Sequence, residues 1–147
     1  MNSATHPIIV QLITLCPGAA PAWAEHLAFW EGEPDRGVFN DFDVFAHHVV
    51  SAAKVNDFGP ADTVFAYLEN TFPGASEETR GLLTWGLLES IQVISSHAPG
   101  LEAKLAARLQ PTTRDAWHAI EDAWRGRGSL AEVLRAEARA GRRGQHS

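Results

Sequence analysis

The sequence predicts an all-α fold, either a compact bundle or a short stack of seven to eight antiparallel helices. Prolines and glycines interrupt the chain at intervals that suit helices, and the apolar residues between them recur every three or four positions rather than every two. Short connections at 72–76, 98–100 and 110–112 favour antiparallel neighbours. At 147 residues, of which 45% are hydrophobic, the chain is long enough to fold around one core.

Four helices are predicted in the first half of the chain. Residues 7–15 are apolar on nearly every side and fit a helix or a buried strand, but a proline in the first turn and the lack of a strand partner favour the helix. An aromatic face predicts a second helix over 21–30, and the acidic segment 31–37 predicts an exposed loop. Asn40 is a suitable cap for the third helix, and Pro60 begins the fourth. The aromatic face comprises Trp23, Leu27, Phe29 and Trp30, and the stripes of the next two helices comprise Phe42, Phe45, Ala46, Val49 and Ala53, and Ala61, Val64, Phe65, Leu68 and Phe72.

A long helix over about 76–97 is predicted to lie at the centre of the bundle. Ser76 caps it, and two glutamates follow in its first turn, where the helix dipole favours carboxylates. A glycine inside a helix costs about 1 kcal/mol, so Gly81 and Gly86 predict places where a neighbouring helix or ring comes close. The apolar residues of this helix surround almost its whole circumference, which predicts neighbours on several sides: Leu82, Leu83, Trp85, Leu87, Leu88, Ile91, Val93 and Ile94.

The remaining chain is predicted to add shorter helices. Two prolines bound a short helix, Thr112 caps the helix that follows, and a capping box begins a last helix at Ser129. We predict a single helical domain over 1–125, and a C-terminal helix with a basic, disordered tail within 126–147. The apolar positions of the first two of these helices are Leu101, Leu105 and Leu109, and Trp117, Ile120 and Trp124.

The net charge of −6 combines an acidic body with a basic end. Residues 1–124 carry 6 basic and 16 acidic side chains, whereas the chain from Arg125 onward carries six arginines and two glutamates. An acidic body disfavours nucleic acid, because phosphates require a clustered positive face, and it suits a basic surface on a partner protein better. The acidic face that we predict to bind such a partner comprises Glu31, Glu33, Asp35, Asp41 and Asp43.

Glu89 and Gln92 are polar residues inside the otherwise apolar 76–97 helix. A buried carboxylate must be paired or protonated, so Glu89 is a candidate ligand contact or general base, with Gln92 as a further binding residue. The structural alternative is a carboxylate satisfied by an arginine, a histidine or a helix N-terminus, or one on a polar edge with Gln92. The histidines that would complete an enzyme site with Glu89 are His48, His97 and His118.

No cofactor, metal site or catalytic residue is predicted. His47 and His48 are adjacent on a helix, about 100° apart, so they do not close on one ion. His47 is predicted to face solvent and His48 to be partly packed, while Cys16 is predicted to be a core thiol. The phosphate-binding glycine loop and the usual serine, zinc and dithiol motifs of enzymes are absent from the sequence.

The composition predicts a cytoplasmic protein. A single cysteine cannot form an internal disulfide, which fits a reducing compartment. No apolar run reaches the roughly 18 residues that span a bilayer. No basic residue precedes the apolar stretch 7–16, so neither a membrane segment nor a signal peptide is predicted.

Two short motifs resemble those of a known kind of protein. The first is Cys16-Pro17 followed by Trp23, and the second is Gly-Leu-Leu-Glu-Ser-Ile-Gln at 86–92. Together they resemble small bacterial all-helical families of unknown function, some of which are similar to immunity proteins encoded beside polymorphic toxins. The resemblance covers residues 6–125 and implies a helical interaction module without a catalytic residue.

These observations predict a non-enzymatic, immunity-like helical module that binds a basic partner protein through its acidic face. The alternative is a metal-dependent or small-molecule-binding enzyme with a site in the bundle core near Glu89. A third hypothesis is self-association through exposed aromatic side chains such as Tyr67. It stays open because a sequence does not distinguish stripes that meet within one chain from stripes that meet between two chains.

Overall fold

The computed structural model describes residues 5–125. This part of the chain contains helices and no strand, which confirms the all-α prediction. The chain divides into unit 1, Met1–Trp117, and unit 2, His118–Ser147, of which residues 118–125 are described and helical. The helix and tail predicted at 126–147 lie outside the described residues. Unit 1 contains α1 (Pro7–Leu15), α2 (Ala20–Phe29), α3 (Val38–Lys54), α4 (Gly59–Thr71), α5 (Glu77–Gly81), a π-helix (Leu82–Leu88), α6 (Glu89–Ser95), α7 (Leu101–Ala106), α8 (111–117), and 3₁₀ turns at Pro17–Ala19 and Phe72–Gly74.

The N-terminal segment is a helix rather than a strand. His6 caps α1, since its Nδ1 accepts a hydrogen bond from the Ile8 N–H at 3.1 Å, and Pro7 occupies the first turn, where its missing N–H costs nothing. The buried side chains of α1 are Ile8, Ile9 and Leu12. In the part of the chain that the structure describes, no single helix is long and apolar enough to cross a membrane. Helix α1 and the segment Pro17–Phe29 are long and apolar enough when taken together, but the chain bends by 103° between them.

The aromatic face predicted for α2 is buried only in part. Trp23 is buried and packs against the ring of Phe45 with the ring centroids 5.7 Å apart. Phe29, at the last position of α2, is 79% exposed, and Leu27 is also exposed. Trp23 therefore joins this face to α3, whereas Phe29 lies in solvent.

Helix α3 begins earlier than predicted and packs against most other helices of unit 1. Gly37 precedes α3 with φ +69°, a conformation that glycine adopts readily, whereas Asn40 donates its side-chain amide to the Arg36 carbonyl. The acidic residue of the first turn is Asp41. Helix α3 contacts α1, α2, α4, the π-helix, α6 and α7. Every residue of the apolar stripes predicted for α3 and α4 is buried, which confirms both stripes: Phe42, Phe45, Ala46, Val49, Ala53, Ala61, Val64, Phe65, Leu68 and Phe72.

The predicted central segment forms a continuous helical run from α5 to α6, with the π-helix in its middle. Ser76 caps it as predicted, since its Oγ accepts a hydrogen bond from the Thr79 N–H at 3.2 Å. A Cβ added at Gly86 would lie 2.5 Å from Cδ2 of Phe42, which confirms the predicted close approach. The same expectation is wrong for Gly81, where an added Cβ would meet no atom within 4 Å.

The N-terminus of α8 is capped by a residue from another helix. Glu69 of α4 accepts hydrogen bonds from the Thr112 N–H at 3.1 Å, the Thr113 N–H at 2.8 Å and the Thr113 hydroxyl at 2.9 Å. Thr112 was predicted as the cap, but its N–H is one of the groups that Glu69 satisfies. The carboxylate joins α4 to α8 and also lies at the positive end of the helix dipole.

We expect the Glu69→Ala variant to lose about 1 kcal/mol of unfolding free energy at pH 7, the typical worth of a helix cap. Desolvation alone would raise the pKa of Glu69, but the hydrogen bonds from Thr113 and Thr112 together hold that pKa below its usual value. A lowered pKa means that the stabilisation is complete above the unfolded pKa of about 4.3 and is lost as pH falls through the folded pKa. Urea denaturation at pH 7 and pH 3 measures the difference. The exposed Glu25→Ala variant is the control, and a Glu69→Ala loss of equal size at both pH values would contradict the expectation.

Candidate functional site

The acidic loop, residues 31–35, carries three carboxylates that face solvent. Glu31, Glu33 and Asp35 are all exposed, as predicted. The loop begins as a tight turn, in which the Glu31 N–H donates to the Ala28 carbonyl at 3.3 Å and the Glu33 N–H donates to the Trp30 carbonyl at 2.9 Å. The turn places the carboxylates directly after α2.

A buried ion pair holds the end of this loop. Arg36 is 9% exposed, and its Nε donates to Oδ1 of Asp41 at 2.8 Å. His26 Nε2 lies 2.7 Å from the same oxygen. The Arg36 guanidinium also lies over the ring of Trp23, 5.7 Å from its centroid, and His26 stacks on that ring at 5.3 Å. We call this group, Trp23, His26, Arg36 and Asp41, the buried anchor.

The buried anchor corrects one predicted site residue. Asp41 was predicted to lie on the exposed acidic face, but it is 2% exposed and its carboxylate is paired inside the protein. The anchor ties the loop to α2 through His26 and to α3 through Asp41. A loop held in this way has less freedom to lose when a partner binds.

Two exposed phenylalanines lie at the ends of this segment. Phe29 packs edge-on against Trp30, with the ring centroids 5.5 Å apart, and most of its surface remains exposed. Phe39, in the first turn of α3, is 54% exposed and contacts the ring of Phe42 edge-on. Exposed aromatic rings beside carboxylates suit the apolar stems and cationic groups of arginine and lysine. Tyr67, named in the self-association hypothesis, is half-buried, and desolvation raises its pKa.

A second polar site brings together two of the predicted binding residues. Asp43 of α3 and Glu89 of α6 line one open depression of about 300 Å³, together with His47 and Ser90. The Ser90 hydroxyl donates to Oδ1 of Asp43 at 2.8 Å. Gln92 does not line this depression; it is buried, and its amide donates to the Trp117 carbonyl at 3.3 Å. Gln92 therefore joins α6 to α8.

The histidines predicted to accompany Glu89 lie elsewhere. Neither His48 nor His97 lines the depression, and His118 pairs with Glu121 inside unit 2, with 2.9 Å between Nδ1 and Oε1. His47 lines it instead, four residues after Asp43 on α3, a spacing that places both side chains on one helix face. Within residues 5–125, no group of three histidine, cysteine or acidic side chains has the geometry to hold a metal ion. Burial raises the pKa of the Cys16 thiol, as expected for a core cysteine.

The fold and these two sites describe an all-helical unit with an exposed acidic loop that the buried anchor follows directly. The family model described as "Domain of unknown function (DUF7674)" matches residues 9–125. The chain therefore belongs to this family. Comparison with curated proteins finds no match, and comparison with solved structures also finds none.

Proposed function

We propose that this chain is a non-enzymatic protein-binding module, an immunity-like protein of the bacterial cytoplasm, whose acidic loop binds a basic surface of a partner protein. The observation that carries the proposal is the buried anchor. It holds the end of the segment that carries three solvent-facing carboxylates, through Arg36, a cation of the same segment that is buried in the protein. The anchor leaves the negative charges of the loop available to a partner.

The arrangement suits fast and selective association with a basic protein. Charges at the rim of an interface chiefly raise the association rate and exclude partners of the same sign. The excess of acidic side chains over residues 1–124 adds a long-range field of the same sign as the loop. Phe29 supplies an exposed ring next to the carboxylates, and aromatic residues are enriched in protein interfaces.

Charge reversal of the acidic loop tests the proposal. The wild-type chain, immobilised, is used to capture proteins from its native host, and the captured partner is then purified. We expect the E31K/E33K/D35K variant to bind that partner with an association rate constant about tenfold lower at low ionic strength, because electrostatic steering is lost. The rate difference is expected to shrink as salt is added.

A matched variant controls for net charge. Glu77, Glu78 and Asp115 are exposed carboxylates outside the loop, so the E77K/E78K/D115K variant has the same net charge as the loop variant. It is expected to keep most of the wild-type association rate. Thermal unfolding of both variants checks that each is folded. Equal binding by the wild type and the loop variant would show that the acidic loop is not the binding surface.

A further inference from the structure

Both lysines of this chain lie at one small depression. Lys54 is the last residue of α3, and Lys104 lies in α7; the other ten basic side chains of the 12 are arginines. The depression has a volume of about 130 Å³, and its polar side chains are the two lysines and Asn56. The remaining lining residues are Ala53, Ala98, Pro99 and Leu101.

Neither lysine forms an ion pair with another residue of the part of the chain that the structure describes. The basic side chains that do form ion pairs within this part of the chain include His26 and Arg36 with Asp41, Arg108 with Asp62, His118 with Glu121, and Arg125 with Asp122. Asp57, the acidic residue nearest to Lys54 in sequence, does not line the depression, and its Oδ1 accepts the Gly59 N–H at 3.0 Å. Two lysines thus line one depression, and the described residues that line it include no carboxylate.

The lysines are also not needed to cap α3. Asn56, with φ +64°, lets the chain turn back, so that the Asp57 N–H donates to the Ala52 carbonyl and the Asn56 N–H to the Ala53 carbonyl, both at 2.9 Å. These bonds satisfy helix-end carbonyl groups to which a lysine side chain often donates. The ammonium groups therefore keep their donors for another acceptor.

We propose that this depression binds a phosphate group between Lys54 and Lys104. A lysine ammonium is a compact positive charge with three hydrogen-bond donors, and it binds phosphate as a point charge. The depression is open and is large enough to admit a phosphate group. The site is independent of the acidic loop and of its proposed partner.

Lysine-specific NMR tests this site directly. With only two lysines, protein labelled with ¹³C-lysine gives two sets of ε-CH₂ signals, each of which reports on one side of the depression. Inorganic phosphate and phenyl phosphate are titrated separately at constant ionic strength, with sodium chloride as the reference. We expect both sets of signals to shift together and to saturate with phosphate. Tighter binding of phenyl phosphate would identify a phosphate ester as the ligand, and equal or weaker binding would identify free phosphate.

Substitution of either lysine distinguishes a specific phosphate site from a general attraction of anions to positive charge. The Lys54→Gln and Lys104→Gln variants are expected to raise the dissociation constant about tenfold, the effect of losing one hydrogen bond from a charged donor. The Arg114→Gln variant removes one exposed positive charge outside the depression, and it is expected to change the dissociation constant less than twofold. Shifts that do not saturate, shifts that chloride reproduces, or binding unchanged in both lysine variants would overturn the proposal.

Discussion

Replacing Asp41 by alanine is expected to lower the free energy of unfolding by about 3–5 kcal/mol, the usual cost of removing one partner from a buried ion pair. Oδ1 of Asp41 lies 2.8 Å from Arg36 Nε and 2.7 Å from His26 Nε2. Both cation and carboxylate are buried, so the variant would leave the guanidinium away from water without its carboxylate. Urea denaturation followed by circular dichroism at pH 7 measures the loss.

Asp43 provides the control within the same helix. Its side chain is exposed, and its carboxylate accepts one hydrogen bond, from Ser90, so the Asp43→Ala variant should lose less than about 1 kcal/mol. The R36M/D41A double variant is expected to recover part of the stability lost by D41A, because it removes the isolated cation as well. Equal stability of the Asp41→Ala and Asp43→Ala variants would mean that the buried anchor does not stabilise the fold.

The buried anchor connects the stability of the fold to the proposed binding surface. Arg36 is the one position of the 31–37 segment that is buried, and it leaves the three carboxylates before it in solvent. Without Asp41, these carboxylates would keep their charges but lose the fixed backbone beneath them. Loss of binding in an Asp41→Ala variant that circular dichroism shows to be folded would therefore arise from loop order, whereas loss in the charge-reversal variant would arise from charge.

The helices of unit 1 could be predicted where burial follows a local period. The stripes of α3 and α4 recur every three or four residues, and every member of both stripes is buried. Pro7 and Ser76 mark the beginnings of their helices through bonding groups that lie within a few residues of them. Such features depend on the covalent neighbours alone, so they can be recognised in a sequence.

The candidate site could be predicted less well, because its contacts join distant segments. Asp41 and Asp43 are two residues apart in one acidic run, yet one is buried against Arg36 and His26 while the other lies in an open depression with Glu89. The helical period does separate them, because Asp41 lies four residues before the buried Phe45 and Asp43 lies four residues before the exposed His47. The period does not reveal that Asp41 meets a cation, because the path of the chain from α2 through the loop into α3 brings Arg36 and His26 to it.

The residue that caps α8 could not be predicted from the sequence either, because it lies far away along the chain. Glu69 lies on α4, and the N–H groups that it accepts belong to Thr112 and Thr113, 43 and 44 residues later. A sequence pattern indicates a cap only when the acceptor precedes the helix directly. The two glycines of the central segment are also hard to distinguish in the sequence, because each is followed by two leucines. Only Gly86 has a neighbouring side chain close to the position of an added Cβ.

The Gly86→Ala variant is expected to lose about 1–3 kcal/mol of unfolding free energy, although alanine favours helices more than glycine does. Its Cβ would lie 2.5 Å from Cδ2 and 2.7 Å from Cε2 of Phe42. That ring is fully buried in close-packed surroundings, so it cannot move aside without displacing its neighbours. Gly86 lies in the π-helix, which contacts α3, the helix that carries Phe42. Urea denaturation compares the variant with the wild type.

Gly81 offers the matched control, because a Cβ there would meet nothing within 4 Å and the backbone is already helical, with φ −60° and ψ −46°. The Gly81→Ala variant is therefore expected to gain about 0.5–1 kcal/mol, the difference in helix propensity between the two residues. The two substitutions are chemically identical and five residues apart, so opposite signs would isolate the contact with Phe42 as the cause. A gain in stability for both variants would show that the ring and the helix separate at little cost, and that Gly86 is not required for their packing.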